Sequence, residues 1–112
     1  MNPYASLAAA YARSFEEGQA YPLGGVAPAS HPPLAEGAPK ALIFSPHPDD
    51  ECIIGALPLR LRRQSGWNLI NVAVTLGSAK ARQRERWAEL KGACEYMGFG
   101  LIPTAPNGLE RV

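Results

Sequence analysis

Two short apolar runs and two stripes at helical spacing organise the chain. Ala41, Leu42, Ile43 and Phe44 are consecutive and bounded by Pro39 and Pro46, which predicts a strand over 40–45 covered on both faces. Leu69, Ile70, Val72, Ala73, Val74 and Leu76 predict a second strand over 68–76 with apolar residues on both faces. Between them, Cys52, Ile53, Ala56, Leu57, Leu59 and Leu61 supply the apolar side of a helix from near Asp49 toward Gln64. Pro58 should kink or divide that helix, and Arg60, Arg62 and Arg63 form its solvated end, where cations suit the dipole. Trp87, Leu90, Cys94 and Met97 mark the buried stripe of a further helix that Gly98 is placed to cap. Phe99 to Ile102 reads as a third strand, followed by an irregular tail over 103–112.

Strand, helix, strand at this spacing is a βαβ unit, with parallel strands and a right-handed crossover. The fold class implied is α/β, a Rossmann-like parallel sheet with flanking helices. Two or three parallel strands with a bare edge make a poor independent sheet, so residues 40–112 read as the N-terminal, incomplete portion of a domain.

Residues 1–39 form a separate region. Leu7, Tyr11 and Phe15 recur every four residues in a helix opened by Asn2-Pro3 and ending near Gly18, an outlying element expected to dock on something. Pro22, Gly24, Gly25, Pro28, Pro32, Pro33, Gly37 and Pro39 then impose an extended surface connector. His31 lies in it and is expected to be solvated, because a metal ligand needs rigid support that such a connector lacks. The pattern leaves open whether this region covers the sheet, forms a contact in a homo-oligomer or borders a substrate cleft.

Composition narrows the class. The 112 residues suffice for about one domain, with 46% hydrophobic and 19% charged residues as in globular proteins. A net charge of +1 gives no electrostatic case for nucleic acid or an anionic membrane as partner. No apolar run approaches the roughly 20 residues of a transmembrane helix, and no basic residue precedes Ala8, Ala9 and Ala10 as in a signal peptide. Cys52 and Cys94 fit reduced thiols in a cytoplasmic protein.

The chemistry concentrates where the first strand ends, at His47-Pro48-Asp49-Asp50-Glu51. In open α/β sheets ligands bind past the carboxyl ends of strands, and a helix N-terminus there favours ionised carboxylates. His47 and Asp50 are three apart across a turn stiffened by Pro46 and Pro48, so imidazole and carboxylate can point at one divalent ion. Asp49 could stand beside that ion as a base for metal-assisted hydrolysis. An acidic helix start alone would account for the carboxylates but not for the histidine and the two prolines.

This signature after a hydrophobic strand resembles that of the PIG-L/LmbE-like deacetylases, zinc enzymes that remove acyl groups, usually acetyl, from amino sugars. A second block is similar as well: Val74-Thr75-Leu76-Gly77, then Arg86-Trp87-Ala88-Glu89-Leu90, then Ala93 and Met97-Gly98. The likeness spans Ala41 to Gly98. It implies that His47 and Asp50 are Zn2+ ligands, that Asp49 is the general base, and that Glu51 supports the turn. The substrate implied is a small-molecule N-acylated amino sugar or glycoconjugate. Lys80 and Arg82, on the loop after the second strand, are candidates to hold its hydroxyls or a phosphate.

A catalytic zinc normally takes three protein ligands, and the family's third is a later histidine. No histidine follows His47. The chain is therefore expected to be the N-terminal part of a longer deacetylase and inactive alone. The alternative is a truncated or degenerate, non-catalytic α/β module with a partial metal site.

Overall fold

The computed structural model describes residues 2–22, 24–27 and 29–110. The apolar runs form strands β1 (Lys40–Ser45) and β2 (Asn68–Ala73), joined by a parallel ladder that sets Ile43 opposite Asn71. A third strand, β3 (Gly100–Pro103), pairs parallel with β2, giving the sheet order β1-β2-β3. The second strand ends at Ala73, three residues short of the predicted limit. Beyond it Thr75 makes an isolated antiparallel bridge to Gly108.

Among the described residues four α-helices accompany the sheet: α1 (Ala5–Gly18), α2 (Asp50–Ile53), α3 (Ala56–Gln64) and α4 (Gln83–Met97). A 3-10 turn, Lys80–Arg82, leads into α4. The crossover helix is divided, as Pro58 requires. The break falls at Ile54-Gly55 because a proline ring excludes the carbonyl four residues before it, and Pro58 then sits in the first turn of α3, where its missing N–H costs nothing. Gly98 caps α4 in the left-handed region, at φ 74°.

The clustered core lies on one face of the sheet. Ile43, Leu69 and Ala73 meet Leu90, Cys94 and Met97 of α4, with Leu76 and Phe99 closing the core. A buried polar relay lies within this layer. The Ser45 hydroxyl donates to Asn71 Oδ1 at 2.6 Å, and Asn71 Nδ2 donates to Cys94 Sγ at 3.7 Å. The central strand thereby satisfies a side chain that is wholly buried.

Among the described residues the opposite face is open on its outer strands, contrary to the expectation of a sheet covered on both sides, while Val72 at its centre is only 5% exposed. Leu42 is 53% exposed and Phe44 63%, and Ile102, in line with Phe44 across Val72, is also exposed. An unbroken apolar run cannot report which face will be covered, since both alternating sets of residues look alike. A three-stranded parallel sheet open on one face fits a partial α/β domain.

The N-terminal region departs from expectation in its connector. Helix α1 buries none of its residues among the described ones, leaving its Leu7, Tyr11 and Phe15 stripe exposed. The connector, in contrast, is pinned. His31 is packed, not solvated: its Nε2–H donates to the Tyr96 carbonyl at 2.8 Å, and its ring lies against the glycine that caps α4. Arg62, expected at a solvated helix end, is buried and reaches across this contact. It donates from Nε to the Gly98 carbonyl at 3.0 Å and from Nη1 to the Pro32 carbonyl at 2.8 Å. The α4 C-terminus leaves carbonyls in want of donors, and a guanidinium fork can serve two acceptors at once.

Candidate active site

The turn after β1 is built by its own acidic residues. Asp50 starts α2, and its Oδ2 accepts the backbone N–H of His47 at 2.7 Å. The same oxygen lies 3.7 Å from His47 Nδ1, so an imidazole nitrogen and a carboxylate oxygen converge on one side of the turn. The His47 side chain is 69% exposed and Asp50 32%, which leaves both reachable from solvent.

Asp49, between them, adopts φ 155° and ψ −21°, and is the one non-glycine with positive φ among the described residues. Such a conformation is strained and persists only where neighbours enforce it. The neighbours are identifiable. Glu51 is buried, and its carboxylate accepts the Asp49 N–H at 3.2 Å and the Cys52 thiol at 3.4 Å. The Asp49 carbonyl accepts Cys52 N–H at 2.9 Å, starting the helix.

The rest of the wall comes from the second βα loop. The Thr75 hydroxyl donates to the Pro46 carbonyl and accepts the Gly77 N–H, tying the two loops together. Arg86, on α4, donates from Nη1 to the Pro48 carbonyl at 3.4 Å. Two adjoining clefts share His47, Gly77 and Ser78. One of about 320 Å³ contains Asp49, Arg82 and Arg86. The other, about 550 Å³, is bordered by Lys80, Gln83, Leu109 and Glu110.

The structure thus brings His47, Asp49, Asp50 and Glu51 together, and places Lys80 and Arg82 on the facing loop. Both cations have acidic neighbours: Lys80 Nζ lies 3.6 Å from Glu110 Oε1, and Arg82 Nε donates to Glu85 Oε2 at 3.3 Å. Sequence reasoning missed Thr75, Arg86 and the Leu109-Glu110 wall. The first two sit inside the second motif block, and the pair Asn107-Gly108 was a legible turn signal.

Among the described residues no three His, Cys, Asp or Glu side chains are grouped to hold a metal ion. His47 and Asp50 are a donor pair suited to zinc, but two donors leave a tetrahedral site half made. Cys52 does not complete it as a ready thiolate. Its pKa is pushed up to about 11 by partial burial, then by the hydrogen bond to Glu51 and the negative charge of Glu51 and Asp49. Cys94 is also raised to about 11, chiefly by burial.

No curated protein and no solved structure matches the chain. A family does, over residues 42–108, from within β1 to the glycine that bridges Thr75: with its histidine, acidic turn and facing loop all inside the match, the chain belongs to the PIG-L family, described as GlcNAc-PI de-N-acetylase.

Proposed function

We propose that the chain carries the metal-binding and base half of a zinc-dependent hydrolase that removes an N-acyl group, usually acetyl, from an amino sugar or its conjugate. The observation that carries this reading is the convergence of His47 Nδ1 and Asp50 Oδ2, 3.7 Å apart, beside the strained Asp49. Family membership supplies the reaction class. His47 and Asp50 would hold the zinc, with a third donor from outside the described residues. Zinc, when bound, polarises the amide carbonyl and acidifies water.

The chain's own residues define the remaining roles. Asp49 takes the proton of the attacking water on a carboxylate oxygen, and the amide C–N bond breaks to give free amine and carboxylate. Glu51 holds the Asp49 backbone through its N–H and thereby aims the base. Arg86 steadies the Pro48 carbonyl from the facing helix. Ser78, Gln83, Lys80 and Arg82 offer groups that can hydrogen-bond sugar hydroxyls. The free thiols Cys52 and Cys94 suit a cytoplasmic setting.

A second reading, a non-catalytic module with a partial metal site, is favoured by the lack of a three-donor group among the described residues. Calorimetric zinc titration tests the first. Weak binding is expected, abolished in His47→Ala and in Asp50→Ala and kept in Asp49→Ala. Binding that survives loss of either ligand overturns the assignment. The two readings separate when a histidine-containing partner segment is supplied: N-acetylglucosaminide hydrolysis supports the first and its absence the second.

A further inference from the structure

Among the described residues the last backbone bond between β1 and β2 runs from the Val74 N–H to the Ser45 carbonyl, at 3.0 Å. The parallel ladder then stops one residue before His47. Pro46 has no N–H to give, and the His47 N–H, the next that could reach β2, is taken by Asp50 Oδ2 at 2.7 Å. On its other side β2's extension is held by the tail of the chain. There the Val74 carbonyl accepts the Leu109 N–H at 2.7 Å and the Thr104 hydroxyl at 2.9 Å.

A side chain takes over where the ladder stops. The Thr75 hydroxyl donates to the Pro46 carbonyl at 2.5 Å and accepts the Gly77 N–H at 3.2 Å. Its proton has one direction to go, because a carbonyl only accepts and an N–H only donates. The Pro46 carbonyl and the His47 N–H belong to the same peptide unit. Thr75 holds one end of that unit and Asp50 the other. A peptide is planar and includes the Cα that follows it, so two opposed anchors fix the plane from which the His47 side chain departs. The Pro48 carbonyl, on the far side of His47, accepts the longer bond from Arg86 Nη1 at 3.4 Å. Prolines offer no other backbone polar group, and the second βα unit holds both carbonyls that flank the histidine.

We propose that Thr75 is a positioning residue for His47: its hydroxyl replaces the interrupted ladder and aims the imidazole at the metal position. The proposal rests on the reading of His47 as a zinc ligand and adds what orients that ligand.

The test is an NMR titration of the whole chain with zinc, followed at the His47 ring. Thr75→Val keeps the shape of the side chain and removes the hydroxyl, and should weaken zinc binding by about 10-fold or more, the scale for groups that orient a ligand. Thr75→Ser keeps the hydroxyl and should bind close to the original chain. Thr104→Val removes a hydroxyl from the same strand end on the side away from His47, and should leave zinc affinity unchanged. Should Thr75→Val fail to fold, Thr75→Ala carries the same comparison with Thr75→Ser. Unchanged affinity without the Thr75 hydroxyl, or an equal loss in Thr104→Val or Thr75→Ser, overturns the positioning role and leaves the zinc assignment standing. Absence of any zinc-dependent shift at His47 in the original chain overturns the zinc assignment, and the proposal with it.

Discussion

The Asp50 carboxylate folds back on His47, accepting its backbone N–H at 2.7 Å while standing 3.7 Å from its Nδ1. One oxygen thus shapes the turn and faces the proposed metal position. The two roles separate in variants. Asp50→Asn keeps an acceptor for the His47 N–H but loses the charge, so it should keep the fold and lose zinc binding. Asp50→Ala should lose zinc and also about 1 kcal/mol of stability, the usual worth of such a bond. Urea unfolding beside zinc calorimetry reads both, and equal stability in the two variants would contradict the shaping role.

Asp49 offers a different dissociation. Its backbone at φ 155° carries strain of about 1–3 kcal/mol that glycine would relieve, less the chain entropy glycine adds. Asp49→Gly should therefore be more stable than Asp49→Ala by about 1 kcal/mol. Where deacetylation can be assayed, both should lower it by about 100-fold or more, the usual scale for a general base, with zinc retained. Metal loss equal to that of Asp50→Ala would make Asp49 a ligand and not the base.

Much of this was legible in the sequence, and the reasons differ by element. The acidic turn could be placed because a hydrophobic run stopped at two prolines, and α4 because its stripe has helical spacing. Residues whose role depends on contacts far along the chain were not legible. Arg62 looks like Arg60 and Arg63 in sequence, yet it alone of the three turns inward, toward carbonyls 30 and 36 positions away. His31 likewise becomes packed only because Gly98, in a distant cap, has no side chain.

That clasp gives a stability prediction. Arg62→Met keeps the apolar stem but leaves the Pro32 and Gly98 carbonyls without their donor, which should cost about 2–3 kcal/mol. Gly98→Ala should cost more than about 1 kcal/mol, from its φ of 74° and from a Cβ that would lie 2.7 Å from the His31 ring. The steric part should vanish in a His31→Ala background while the φ part remains. Additive losses in that double-mutant cycle would show that the ring does not press on the cap.

The Cys94 thiol adds a pH dependence whose sign is fixed. Its folded pKa is raised from 9.0 to about 11, so the folded state holds the proton more tightly than the unfolded chain. The contribution is complete below pH 9.0 and is lost as pH rises toward 11. Cys94→Ala lacks it at every pH. The stability gap between the original chain and Cys94→Ala should therefore narrow between those limits in denaturant titrations, and a constant gap would contradict the shift.

The bare sheet face makes the sharpest contrast within one strand. Ile43 is 6% exposed and faces α4's layer, whereas Phe44, its neighbour, is 63% exposed on the other side. Truncating Ile43 to alanine should cost about 2–4 kcal/mol, the range for a buried aliphatic side chain. Phe44→Ser should cost less than about 1 kcal/mol, since it gives up little buried area, and should improve solubility by removing an apolar surface. Thermal unfolding at several protein concentrations checks this. A loss for Phe44→Ser as large as that for Ile43→Ala, or one that shrinks on dilution, would mean that this face is covered in solution.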